Sequence, residues 1–158
     1  MRVAFLTAGG LAPCLSSSIG LLIEQYSKLE IEVEFFAYKN GYKGLLKGDI
    51  ISIPKQVNEQ IENIISFGGS FIGNSRVKLT NVEDCVKNQY IDKGEDPLAK
   101  AANQLKKDKI EILHTIGGDD TNTATGAASG GDSIDSLDPD DFTNFYIDVS
   151  RDTYGVVV

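Results

Sequence analysis

The residues with the clearest chemical potential lie at Gly117-Gly118-Asp119-Asp120-Thr121-Asn122-Thr123. Two glycines let a ligand approach the backbone closely, and two adjacent carboxylates follow at once. A carboxylate at such a turn suits Mg²⁺, which in turn holds phosphate oxygens. One aspartate is explained by capping the next helix; the second, repelled by the first, needs another reason. Gly9-Gly10 is a second candidate, because a glycine turn between a strand and a helix lets backbone N–H groups face a phosphate. Gly68-Gly69-Ser70, with Arg76 and Lys78 close behind, forms a third, although taken alone it reads first as a solvated loop with surface charges. Arginine would grip phosphate oxygens as a fork and lysine as a point charge. Gly41-Tyr42-Lys43-Gly44 reads equally well as a loop or as a site. His114, inside an apolar run, reads as a core histidine rather than a base. Cys14 has no histidine near it in sequence and reads as a small turn residue.

These segments need elements to position them. Val3–Thr7 is an apolar run that ends at Gly9-Gly10, a buried strand. Leu15, Ile19, Leu22, Ile23 and Tyr26 recur at helical spacing. Ile31–Tyr38 reads as a second strand, so the chain opens with a strand–helix–strand unit. Residues 40–48 read as a glycine-punctuated loop. Val57, Ile61, Ile64 and Ile65 outline another helix face. Thr80 with Glu83 suggests a capping box, with Val82, Cys85 and Val86 turned inward. Asp96-Pro97 reads as an N-cap followed by proline at the first helical position, with Leu98, Ala101, Ala102 and Leu105 as the apolar stripe. Ile110–Ile116 is a third strand. Three strands running into glycine-rich turns, with helices between, predict an α/β fold: a three-layer Rossmann-like sandwich with a mostly parallel sheet. Ligands in such folds sit outside the carboxyl ends of the strands.

The 158 residues suit one domain. The net charge is −8, and residues 124–158 supply −6 of it through seven Asp and one Arg. Residues 1–123 are thus nearly balanced, and the composition breaks near residue 124. In the acidic tail a helix beginning at 124–128 is cut short by Gly126 and Ser129-Gly130-Gly131, 132–141 reads as loop, and 142–149 and 154–158 read as weak strands. Nothing basic and clustered suggests nucleic acid. No apolar run reaches a membrane span, and the opening lacks a signal-peptide pattern, so a cytoplasmic protein is expected. Two cysteines and one histidine give neither a disulfide scaffold nor a zinc site.

Phe5-Leu6-Thr7-Ala8-Gly9-Gly10-Leu11-Ala12-Pro13-Cys14, Asn40-Gly41-Tyr42-Lys43-Gly44-Leu45, residues 68–79 and residues 116–123 occur in this order. Together they resemble the phosphofructokinase family, specifically its pyrophosphate-dependent branch, over residues 1–123. The resemblance implies phosphoryl transfer from pyrophosphate to fructose 6-phosphate, with Mg²⁺ as cofactor and a homo-oligomer in the full-length family. It assigns Gly10, Arg76 and Lys78 to diphosphate binding and Asp119 to the metal. Asp120 falls where the ATP-using members carry glycine and implies donor discrimination. A carboxylate there would collide with the α-phosphate of ATP, whereas pyrophosphate leaves that space free. The family's Pro-Lys-Thr-Ile-Asp-Asn-Asp segment, which supplies the aspartate base, is absent, and Asp135 does not inherit its role. Relative to the family the fold is therefore incomplete, and residues 124–158 do not resemble it. A non-catalytic α/β domain binding Mg-pyrophosphate or a nucleotide is the alternative. The dinucleotide fingerprint G-x-G-x-x-G is not present in the first turn.

Overall fold

The computed structural model describes residues 1–29, 31–54, 61–117, 149–150 and 153–154. The elements are β1 (Arg2–Thr7), α1 (Cys14–Ser27), β2 (Glu34–Tyr38), α2 (Tyr42–Lys47), β3 (Ile50–Ile53), α3 (Ile61–Ile65), α4 (Val82–Lys87), α5 (Pro97–Asp108) and β4 (Ile112–Ile116). A two-residue antiparallel pair, β5 (Val149–Ser150) with β6 (Thr153–Tyr154), forms a separate small sheet. The remaining readings on 118–158, including Asp119 and Asp120, and the reading of Val57, lie outside the described residues.

The main sheet runs β3-β2-β1-β4. β1 pairs in parallel with β2 and with β4, while β3 pairs antiparallel with β2. The expected mostly parallel sheet is thus present, with one reversed edge strand. Alternation along β1 divides the core between two faces, as a sheet covered on both sides requires. Val3 and Phe5 join Leu15, Ile19 and Ile23 of α1 on one face. Ala4, Leu6 and Ala8 join Leu45 and Leu46 of α2, Cys85 of α4 and Ala101 of α5 on the other. This is the three-layer arrangement. On the first face α1 and α3 approach so closely that a Cβ on Gly20 would lie 2.7 Å from Ile65 Cγ1.

Several local expectations change. The stretch 40–48 is not simply a loop, because Tyr42–Lys47 is helical and is followed directly by β3, which the sequence reading omitted. Tyr42, Leu45 and Leu46 are buried, a spacing of one helical turn too short to register as periodicity. The N-cap of α4 is Asn81, whose side chain accepts from the Asp84 N–H; Thr80 lies one residue too early. Val82 is exposed while Cys85 is fully buried. At α5 the expectation holds, since Asp96 caps by accepting from the Leu98 N–H ahead of Pro97. The second and third strands expected from the sequence start later, at Glu34 and Ile112.

Candidate functional site

β1 lies between β2, reached through α1, and β4, which follows α5 on the opposite face. The order in which strands are added therefore reverses at β1, and the carboxyl ends of β1 and β4 border a topological switch point where open α/β sheets bind ligands. The register pairs Thr7 with Ile116, and the Ala8 N–H donates to the Ile116 carbonyl at 3.0 Å. Gly117 is thereby carried to the same edge as the Gly9-Gly10 turn.

The third candidate segment arrives from elsewhere in the chain. Ala8 forms a parallel bridge with Ser75, and the Gly9 N–H donates to the Ser75 carbonyl at 3.0 Å. Gly10 and Arg76 consequently leave the same bridge, two residues and one residue beyond it. Arg76 and Lys78 are exposed, whereas Val77 and Leu79 between and after them are buried. That alternation turns both cations away from the core. The Lys78 carbonyl accepts from the Asn81 N–H, so Lys78 stands where the segment turns towards α4.

Hydroxyl groups fasten this segment down. The Thr7 hydroxyl donates to the Gly73 carbonyl at 2.8 Å and lies 2.7 Å from the Ser70 hydroxyl. The Ser16 hydroxyl, in the first turn of α1, donates to the Gly69 carbonyl at 2.7 Å and accepts from the Phe71 N–H at 2.9 Å. The Asn40 N–H donates to the Ile72 carbonyl, and Asn74 Nδ2 donates to the Gly9 carbonyl at 2.8 Å. Gly41 packs against β1 at φ +62°, where a Cβ would come within 2.3 Å of the Thr7 carbonyl oxygen. The Gly41-to-Gly44 segment thus reads as packing under the edge. Sequence reasoning placed Ser70 in the third candidate segment but gave no role to Thr7, Ser16 or Asn74. The partners of these residues stand up to 66 positions away, and only Ser70 and Asn74 lie beside a glycine.

The Gly10 N–H is an open donor at this edge. Gly10 is exposed, a Cβ on it would meet nothing within 4 Å, and its N–H has no partner among the described residues. The start of α1 is less available, because the Ser16 N–H is already given to the Gly69 carbonyl and Leu15 to Ala12. An anion at this edge would therefore meet the Gly10 amide and the cations, not a bare helix terminus.

His114 lies outside this site. It stacks on Phe5 at 5.5 Å between ring centroids, and its Nε2 stands 2.9 Å from the Tyr26 hydroxyl. Burial pushes its pKa down to about 4, as the core reading requires. Cys14 is exposed at the start of α1, and Cys85 is buried, its thiol pushed up by that burial. Among the described residues no cluster of three or more His, Cys, Asp or Glu side chains could hold a metal ion. Likewise no helix among them is long and apolar enough to cross a membrane.

A mostly parallel sheet covered by helices on both faces, with glycine turns gathered at its switch point, defines the class: a three-layer α/β protein. The Phosphofructokinase family profile matches residues 2–132, and the chain belongs to that family. Pyrophosphate--fructose 6-phosphate 1-phosphotransferase of Methylotuvimicrobium alcaliphilum is 57% identical over 123 residues, which are 78% of this chain and 30% of that protein. The same-named protein of Mastigamoeba balamuthi is 55% identical over 122 residues, 77% of this chain and 30% of its own length. An ATP-dependent 6-phosphofructokinase of Streptococcus thermophilus is 32% identical over 119 residues, 75% of this chain and 30% of its own length. The chain thus spans about a third of the length of these relatives. Among solved structures, the pyrophosphate-dependent phosphofructokinase from Nitrosospira multiformis superposes with a TM-score of 0.70 at 16% identity, covering 92% of this chain and 33% of that one. That likeness supports the fold.

Proposed function

We propose that residues 1–123 are the phosphoryl-donor portion of a pyrophosphate-dependent phosphofructokinase, which transfers phosphate from pyrophosphate to fructose 6-phosphate. The observation that carries this reading is the Ala8–Ser75 bridge, which brings Gly10 and Arg76 together at the carboxyl edge of β1 and β4. Four relatives named for pyrophosphate are 54–58% identical, while a fifth is 31% identical and those named for ATP are 32–33% identical; the four favour pyrophosphate as donor.

In this reading the Gly10 N–H, Arg76 and Lys78 hold the diphosphate oxygens. Phosphoryl transfer needs mainly positioning and charge neutralisation, and these groups supply part of both. Mg²⁺, when bound, would supply neutralisation of the phosphate charge. The described part of the edge offers no carboxylate cluster for it, so its ligand would be Asp119, outside the described residues. Asp120, next in sequence, would keep out the α-phosphate of ATP by shape and charge. The cytoplasm and a homo-oligomeric assembly belong to the same proposal, as does the division between residues 1–123 and the acidic 124–158.

The absence of the Pro-Lys-Thr-Ile-Asp-Asn-Asp segment favours a second reading, in which the chain binds Mg-pyrophosphate without turning it over. Calorimetric titration with Mg-pyrophosphate tests binding, and a coupled assay for fructose 1,6-bisphosphate tests transfer. Binding without product supports the second reading; no binding overturns both.

A further inference from the structure

We propose that Asn74 is a positioning residue that fixes the direction of the Gly10 N–H; its relevance to the donor rests on the pyrophosphate reading above. A peptide group is planar, and in the trans form its C=O and N–H leave opposite edges of the plane. The Gly9 carbonyl and the Gly10 N–H belong to one such plane. Asn74 Nδ2 grips the carbonyl end at 2.8 Å. Whatever holds that oxygen also aims the N–H.

The plane needs holding. Glycine on both sides leaves it free to rotate, and Gly9 already sits at φ +88°. Its neighbours are fixed up to this point only, since the Gly9 N–H is spent on the Ser75 carbonyl and the Gly10 N–H on nothing described. A flip would turn the Gly9 carbonyl towards the edge and present a partial negative charge where an anion is to bind. The orientation of the Asn74 amide is itself forced, because a carbonyl oxygen only accepts and the nitrogen must face it. Its Oδ1 is buried without a partner among the described residues, so the side chain is placed here for its donor. Asn74 and Ser75 thus act on consecutive atoms of one turn: Ser75 takes the Gly9 N–H, and Asn74 takes the Gly9 carbonyl.

The experiment compares the full 158-residue chain with Asn74→Ala and with Asn74→Leu, which fills a similar volume without a donor. Residual dipolar couplings read the Gly10 N–H direction without any ligand, and titration with pyrophosphate plus Mg²⁺ reads binding. Loss of a hydrogen bond to a charged ligand group should weaken binding about ten-fold or more. The Gly10 coupling should depart from its wild-type value in both variants, while the thermal midpoint and the couplings of β1 hold in at least one. An unchanged Gly10 coupling in a folded variant overturns the proposal, as does wild-type affinity in that variant. If the wild type itself binds no pyrophosphate, the donor reading fails, and the couplings alone still decide whether Asn74 sets the amide.

Discussion

The Thr7 hydroxyl donates to the Gly73 carbonyl at 2.8 Å, so the last residue of β1 is tied to the loop that carries Arg76. Thr7 is fully buried, and its hydroxyl also lies 2.7 Å from that of Ser70. Thr7→Val keeps the volume but removes these contacts. We expect a loss of about 1–2 kcal/mol, read as a lower urea midpoint with an unchanged slope. A change below about 0.5 kcal/mol would mean that Ser70 alone holds the loop.

Arg76 is exposed, so removing it should spare the fold while weakening the donor. Arg76→Ala is expected to reduce Mg-pyrophosphate affinity about ten- to a hundred-fold, the range for hydrogen bonds to charged groups. The thermal midpoint should be unaltered. Arg76→Lys should recover only part of the affinity, since a point charge replaces a fork. Titration calorimetry at two salt concentrations checks both, and equal affinity of all three chains would remove Arg76 from the site.

Asp120→Gly should raise Mg-ATP affinity by relieving a like-charge, steric contact, whereas Asp119→Asn should weaken either donor by removing a metal ligand. The readout is a four-way titration of both variants with Mg-pyrophosphate and Mg-ATP. Equal affinity of the wild type for the two donors, unmoved by Asp120→Gly, would exclude donor discrimination by Asp120.

His114 is held near pKa 4 by burial, below the ordinary 6.5 it regains on unfolding. Between these values the unfolded chain binds more protons, so stability rises with pH through that window. The contribution is complete above about pH 6.5, is lost as pH falls towards 4, and changes no further below it. Its size is on the order of 3 kcal/mol. This is the sole histidine in the chain, so its NMR titration is unambiguous. In His114→Phe the stability profile should flatten between pH 4 and 6.5; an unchanged profile would assign it to the carboxylates.

A methyl group on Gly41 would come within 2.3 Å of the Thr7 carbonyl oxygen, at a φ of +62° that side chains rarely adopt. Gly41→Ala should therefore destabilise by about 2 kcal/mol or more, combining backbone strain with displacement of β1. Chemical denaturation measures this, and a loss under about 1 kcal/mol would show that the turn relaxes freely.

The sequence by itself determined the order of the parallel strands' apolar runs, the face of α1, the Asp96-Pro97 start of α5 and the glycine turn that closes β1. Each of these is a local pattern: an apolar run, a 3.6-residue period, a cap, a turn. It also carried the family's motifs, and with them Gly10, Arg76, Lys78, Asp119 and Asp120 as candidates. Tertiary structure decided the rest. α2 forms in a glycine-rich stretch because Tyr42, Leu45 and Leu46 bury against the sheet, and Gly44 lets the chain pass the Lys39 carbonyl, where a Cβ would lie 1.9 Å away. β3 reverses direction because it follows α2 directly and pairs antiparallel with β2 along the sheet's edge. The hydrogen bonds of Thr7, Ser16 and Asn74 that hold the site join residues 53 to 66 positions apart. A hydroxyl or amide in a sequence shows that a bond can be made; only the packing of β1, α1 and the 69–76 loop shows which carbonyl receives it.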